Sequence, residues 1–335
     1  EIKAKRKVEV SVDEIYEGIK SKDKTSLGRA ITLIESNNSD HHNAAQDLIE
    51  RCLTLDTSSI RIGITGVPGV GKSTFIETLG TNLTALKKKV AVLAVDPTSI
   101  MNKGSILGDK TRMQHLSQDS NAFIRPSPAG ESLGGVAQKT REAIIICEAA
   151  GFDIILIETV GVGQSEVAVH SMVDFFLVLK LSGAGDELQG IKRGILELAD
   201  AVVINKADGE NINAANIAVK EFTRALHLYP PKDNGWAAKV AACSAIENSG
   251  VKEIWSTIDT YIKDNTRTGF LKKRRNQQNK YWLLETIENR LFEDFYQDKK
   301  VKKELSEQLE KVSKGNTSPF KAAEKLLSLA KKSGD

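Results

Sequence analysis

The run Gly66-Val67-Pro68-Gly69-Val70-Gly71-Lys72-Ser73 constrains this chain more than any other part of it. It follows an apolar stretch of strand length, Ile60 to Ile64, and leads through Thr74 into a helical pattern. A glycine-rich turn between a buried strand and a helix lets backbone N–H groups converge on an anion, and the helix adds the positive end of its dipole. Gly-x4-Gly-Lys-Ser in that setting describes a phosphate-binding loop. Gly66, Gly69 and Gly71 permit close backbone approach, and Val67, Pro68 and Val70 complete the turn. Lys72 supplies a point charge for β and γ phosphates, the Ser73 hydroxyl is placed to ligate Mg2+, and Thr74 offers a second hydroxyl.

From Ile60 onward, short β-rich runs alternate with helical stretches, the pattern of a P-loop NTPase with a mainly parallel, doubly wound sheet. Strands are expected at Ile60 to Thr65, Val90 to Val95, Ala122 to Arg125, Asp153 to Glu158, Val173 to Leu181, Ala201 to Asn205 and Lys239 to Cys243. Right-handed crossovers would bring the loops after these strands to one edge of the sheet. Residues 1–58 read as a helical N-terminal extension, with Ile15, Ile19, Leu27, Ile31 and Ile34 at spacings near three or four. Residues 59–265 read as the nucleotide domain and 266–335 as a helical C-terminal arm with a break near Gly315 to Pro319. Trp282, Leu283, Ile287, Leu291, Phe292 and Phe295 fall near one stripe of that arm, suited to dimer or arm packing.

Composition narrows the setting. Among 335 residues, 47 basic side chains face 44 acidic ones, a balance that argues against a nucleic-acid partner. Cys52, Cys147 and Cys243 are too scattered for a disulfide framework or a thiolate metal site. No apolar run approaches the roughly 18 residues that cross a bilayer, and Glu1 to Glu9 are charged rather than signal-like. These features point to no membrane partner and to a cytoplasmic protein, or one of the mitochondrial matrix if the source is eukaryotic.

Two further loops carry chemistry. In Asp153-Ile154-Ile155-Leu156-Ile157-Glu158-Thr159-Val160-Gly161, an acid ends a buried strand and a glycine follows three residues later, a Walker-B-like switch. Glu158 can hold Mg2+ directly or through water, and the Gly161 N–H can read the γ phosphate. Asp96 and Asp109, both after the second strand, are candidates to complete the metal shell or position water, with helix capping as the competing use. After the strand at 201–205 comes Asn205-Lys206-Ala207-Asp208. A carboxylate at Asp208 accepts hydrogen bonds from the ring N–H and exocyclic amine of guanine, which adenine does not present in that arrangement. Lys206 can lie along the base, and Cys243-Ser244-Ala245 fits a supporting base loop. GTP is therefore expected over ATP.

Gly66 to Ser73, Asp96-Pro97-Thr98-Ser99, Ile106 to Met113, Glu158 to Glu166, Gly183 to Lys192 and Asn205 to Asp208 together resemble the methylmalonyl-CoA mutase-associated GTPase family, with Gly183 to Lys192 the most specific element. The resemblance covers nearly the whole chain. It implies a homodimeric G-protein chaperone that couples GTP binding and hydrolysis to cofactor loading and protection of an adenosylcobalamin-dependent acyl-CoA mutase. It further implies that Ser73, Asp96, Asp109 and Glu158 surround Mg2+ and its waters, and that Gly183 to Lys192 forms a third loop relaying nucleotide state. Asp186 and Lys192 are its polar candidates, and Lys192 could stabilise charge on the transferred phosphoryl group once a partner orders it. The water-orienting Gln often found beside the switch glycine is absent: Val162 follows Gly161, and the nearest Gln is Gln164. Slow unaided hydrolysis is expected.

Three other readings compete. A metallochaperone GTPase of the nickel-delivery type would need metal ligands, and the sequence offers only the adjacent pair His41-His42. A P-loop kinase or ATPase would share the phosphate cradle but has no use for Asn205 to Asp208. The basic cluster Lys272-Lys273-Arg274-Arg275 could suggest nucleic acid, but it lacks interleaved aromatics and reads as a solvated or dimer-facing helix.

Overall fold

The computed structural model describes residues 11–36, 38–95, 113–126, 133–159, 165–183 and 193–331. The N-terminal extension is helical: α1 (Val12–Lys20), α2 (Lys24–Glu35) and α3 (Ser39–Leu53). Each starts where its sequence supplies a cap. The side chains of Ser11, Asp23 and Asn38 accept from the backbone N–H of Glu14, Ser26 and Asp40, pairing donors that a helix start leaves free. The stripe read from the sequence is the inner face, with Ile15, Ile19, Leu27, Ile31 and Ile34 all buried. Lys24 Nζ donates to the carbonyl of Ala122 at 2.6 Å, and Arg125 pairs with Glu35, so polar bonds as well as apolar packing anchor the extension to the domain.

The domain itself runs β1 (Ile60–Gly66), α4 (Lys72–Ala85), β2 (Val90–Val95), α5 (Gln114–Gln118), β3 (Ala122–Arg125), α6 (Leu133–Ala149), β4 (Ile154–Thr159), α7 (Ser165–His170), β5 (Phe175–Leu181), α8 (Arg193–Leu198), β6 (Ala201–Asn205), α9 (Ile212–Leu226), β7 (Lys239–Ala242) and α10 (Val251–Arg267). All seven expected strands are present, with ends shifted by no more than two residues. They form one sheet in the order β3-β2-β4-β1-β5-β6-β7, and every pairing is parallel. Its central strands are covered on both faces, which is why Ile62, Ile64, Leu156 and Leu177 read as apolar runs rather than alternating patterns. β1 sits between β4 and β5. The P-loop thus opens beside the acidic switch on one side and one strand away from the base motif on the other. Among the described residues no helix is long and apolar enough to cross a membrane.

After α10 come α11 (Phe270–Gln297), α12 (Lys299–Ser313) and α13 (Pro319–Lys331), with the break between the last two at the expected Gly315 to Pro319. The chain divides into two compact units, Glu1–Gln278 and Asn279–Asp335. Within the second, Val301, Ala322 and Leu326 are buried, and Lys325 pairs with Glu304 at 2.6 Å.

The first turns of α11 belong to the first unit, and here the structure departs from the sequence reading. Lys272 and Lys273 are exposed, as a solvated cluster requires, but Arg274 and Arg275 turn inward. Arg275 donates to both carboxylate oxygens of Asp174 at 2.8 and 2.6 Å and to the Ser59 carbonyl at 2.7 Å. Arg274 donates to the Tyr261 hydroxyl at 3.1 Å and to His170 Nε2 at 3.2 Å. A guanidinium has no acceptor, so that imidazole nitrogen must be unprotonated. Burial pushes His170 down to about 4, the nearby Arg274 charge adding to the effect. Asp174 lies 101 residues from Arg275, and His170 lies 104 residues from Arg274, which is why a local reading sees only a basic run.

Asp174 carries the largest share of this edge. It is fully buried and also accepts from the Arg61 N–H at 2.9 Å. Burial alone would raise its carboxyl. Hydrogen bonds and charge from Arg275, with Arg61, outweigh that and hold it below the usual carboxylate range. A lowered folded-state value means that the stabilisation is complete above the unfolded-state value of about 3.9 and is lost as pH falls through the lowered one. Urea melts of Asp174→Ala are expected to show a loss of about 3–5 kcal/mol at pH 7. The gap between variant and wild type should close as the pH is taken below about 4.

Candidate functional site

The site begins where β1 ends. Gly66 is the last residue of β1, and a Cβ there would lie 2.6 Å from the Leu179 carbonyl of the neighbouring strand, so only glycine allows the chain to leave the sheet at this point. α4 starts at Lys72 with Gly71 as its cap, in left-handed geometry (φ 93°) and without a side-chain capping bond. The first N–H to find an acceptor in its own helix is that of Phe75, bonded to the Gly71 carbonyl at 2.9 Å. The preceding amides at the helix start are therefore free for an anion.

Lys72 is buried and curls back over the loop, donating to the Gly66 carbonyl at 2.8 Å and the Val67 carbonyl at 3.3 Å. Burial pushes its ammonium below the ordinary lysine value, and the charges of Glu158 and Glu166 partly offset the shift. Glu158, the penultimate residue of β4, lies in register with Ile64 of β1. Ser73 Oγ lies 3.3 Å from Glu158 Oε1, which pairs a hydroxyl with a buried carboxylate. Two hard oxygen donors of this kind suit Mg2+, which completes its octahedron with phosphate oxygens and water rather than with a cage of side chains. Among the described residues there is no group of three or more His, Cys, Asp or Glu placed to hold a metal ion. Thr74 is exposed at the start of α4. Asp96, Asp109, Gly161, Asp186 and Lys192 lie outside the described residues.

The base motif joins the P-loop through one side chain. Asn205, only 1% exposed, donates from Nδ2 to the Val70 carbonyl at 2.8 Å and accepts at Oδ1 from the Ala245 N–H at 3.2 Å. Its amide leaves no room on the other side, because a Cβ on Gly71 would come within 2.7 Å of Asn205 Nδ2. Asp208 Oδ2 accepts from Ser244 Oγ at 2.6 Å, and Thr78 of α4 holds the Ala245 carbonyl at 2.7 Å. The structure thus brings together, at one edge, the P-loop, Glu158, Asn205 to Asp208 and the loop at Ser244 and Ala245.

Two features of this edge escape the sequence reading. Glu166, buried in the first turn of α7, contributes its charge to Lys72. It sits inside the run Glu158 to Glu166, but nothing in its spacing says that a short helix will bring it towards the P-loop. Thr159 and Thr65, the penultimate or last residues of adjacent strands, share a buried hydroxyl bond of 2.7 Å that ties the switch strand to β1.

Comparison with known proteins agrees with this geometry. A family model described as methylmalonyl-CoA mutase-associated GTPase MeaB matches residues 27–300. A protein of Mycobacterium tuberculosis named "Probable GTPase" is 47% identical over 96% of this chain and 95% of its own length. The mitochondrial methylmalonic aciduria type A homolog of Mus musculus is 44% identical over 94% of this chain and 79% of its own. A crystal structure titled LAO/AO transport system kinase superposes with a TM-score of 0.76 at 34% identity, covering 96% of this chain and 98% of the other.

The tightest steric constraint in the site gives a direct test. Gly71→Ala forces a side chain into left-handed backbone, at a cost of roughly 1–2 kcal/mol, and against the Asn205 amide. Calorimetric titration with GDP is expected to show affinity lowered by at least about tenfold, while urea melts show that the sheet still unfolds cooperatively.

Proposed function

The chain belongs to the methylmalonyl-CoA mutase-associated GTPase family, and on that premise we propose that it is a GTP-gated chaperone that controls loading and protection of the adenosylcobalamin cofactor in an acyl-CoA mutase, with methylmalonyl-CoA mutase as the client. The observation that supports the guanine-nucleotide part of this reading is the Asn205 amide, which fixes the Asn205 to Asp208 motif against the P-loop beside Glu158; the client follows from the family. A kinase or ATPase needs the second and third of these elements but gains nothing from the first.

In this reading Lys72 leaves the Gly66 and Val67 carbonyls for the β and γ phosphates, and the free amides at the start of α4 complete the cradle. Gly66, Val67, Pro68, Gly69, Val70 and Gly71 wrap the phosphates, with Ser73 and Thr74 at the helix start. Ser73 and Glu158 hold Mg2+, with Asp96 and Asp109 completing or orienting its shell; the ion would neutralise charge that develops on the phosphates. Asp208 accepts from guanine, Lys206 covers the base, and Ser244 and Ala245 support the loop. Gly161 reports the γ phosphate, and Lys192 approaches the transferred phosphoryl group when the client is present. The exposed apolar residues of α11, among them Leu283, Leu284, Ile287, Leu291 and Phe292, support assembly of two copies through the C-terminal arm.

A switch of this kind hydrolyses slowly until its partner completes the site. Phosphate release from GTP by the purified protein is expected to be slow and to rise at least about tenfold on adding a cobalamin-dependent acyl-CoA mutase, a conservative threshold beside the roughly 10³–10⁵-fold that partner-supplied charge gives in other GTPases. Turnover at rates typical of metabolic enzymes by the protein alone, unchanged by the mutase, would contradict the gating.

A further inference from the structure

Asn211 closes the single 3-10 turn Gly209–Asn211 and leads directly into α9, where an asparagine side chain could turn its oxygen onto the first amides of that helix. Here it makes no such bond. Its amide is used on two loops instead. Nδ2 donates to the Lys206 carbonyl at 2.5 Å, and Oδ1 accepts from Ser182 Oγ at 2.6 Å. A backbone carbonyl only accepts, so the contact with Lys206 fixes which end of the amide faces the base motif, and the serine hydroxyl must then donate to the other end.

The backbone it holds is unusual. Lys206 adopts φ 59°, a left-handed conformation that residues with a side chain rarely take and that surrounding bonds must enforce. The Asn211 side chain fixes the Lys206 carbonyl, its own N–H donates to the Asp208 carbonyl at 3.0 Å, and the Ala207 N–H donates to the Cys243 carbonyl at 3.0 Å. The loop from Lys206 to Asp208 is thereby pinned on three successive residues; the bond at Asp208 is the backbone bond of the 3-10 turn, and of the three only that to the Lys206 carbonyl comes from a side chain, that of Asn211. Ser182, its other partner, immediately follows β5 and precedes Gly183, itself at φ 81°.

We propose that Asn211 is a positioning residue for base selectivity: with Ser182 as its anchor, it holds the backbone that presents Asp208, so that the carboxylate meets both donors of guanine. The proposal rests on the reading of Asp208 as the guanine acceptor.

The test uses the full chain and calorimetric titration with GDP, with IDP, which lacks the exocyclic amine, and with Mg2+ throughout. Asn211→Ala should lower the GDP-over-IDP preference about tenfold, the loss of one well-placed hydrogen bond, while IDP affinity changes little. Asn211→Asp, nearly isosteric, keeps an acceptor for Ser182 but has no donor for the Lys206 carbonyl, and should lose the preference too. Ser182→Ala should give a smaller loss in the same direction, and the double variant should be no worse than Asn211→Ala alone, since both act through one contact. Equal weakening of GDP and IDP, or an intact preference in both Asn211 variants, would overturn the proposal. Asp208→Asn serves as the control: if it leaves the preference intact, the reading of Asp208 has failed; if it abolishes the preference while both Asn211 variants retain it, only the role of Asn211 has failed.

Discussion

Everything at the catalytic edge of this sheet depends on the amide of Asn205. It is buried at the end of β6, and both ends of the amide are used, one on the Val70 carbonyl of the P-loop and one on the Ala245 N–H of the base loop. Removing it would leave a buried carbonyl and a buried N–H unpaired, at about 1–3 kcal/mol each. More consequentially, it would uncouple the loop that binds phosphate from the loop that reads the base. The glycine at 71 is the other half of the same constraint, since the amide occupies the volume a side chain would need. In the proposed reading, affinity for phosphate and selectivity for guanine therefore belong to two loops tied together by this one amide.

The opposite edge of the sheet is organised by buried charge. Asp174 and Asp200 precede β5 and β6 and are satisfied by Arg275 and Lys232, each at 2.6 Å at the shortest approach, and by the backbone N–H groups of Arg61 and Phe176. Arg61 pairs with Glu148 of α6 at 2.7 Å. Buried ions are expensive to desolvate, and their value here is positional: each salt link fixes a helix or loop to the start of a particular strand. Helix α7 spans the two systems. Its first turn carries Glu166, whose charge reaches Lys72, and its last residue, His170, accepts from Arg274 at the root of α11.

Much of this was legible in the sequence because it is local. Each of the seven strands is a short apolar run bounded by polar or glycine-containing turns, and Gly66 to Ser73 and Asn205 to Asp208 are contiguous motifs whose chemistry needs no tertiary information. What the sequence did not reveal depends on long-range placement. The strand order is set by packing, Arg275 finds Asp174 101 residues away, Arg274 finds His170 at the end of α7, and Glu166 acquires a role only when α7 brings it towards Lys72. Asn211 hides for a different reason: an asparagine that leads into a helix has an ordinary use as a cap, and its actual partners, the Lys206 carbonyl and Ser182, lie in two separate loops.

In the proposed function, one edge of the parallel sheet holds a guanine nucleotide between the P-loop and the base loop, which Asn205 ties together. A crystal structure of the complex with GDP and Mg2+ tests it most directly. The phosphates are expected against the amides at the start of α4, the metal beside Ser73 and Glu158, and the guanine edge facing Asp208 with the Asn205 bonds to Val70 and Ala245 intact. A nucleotide whose base lies away from Asp208, or a bound state in which the Asn205 bonds are broken, would contradict it.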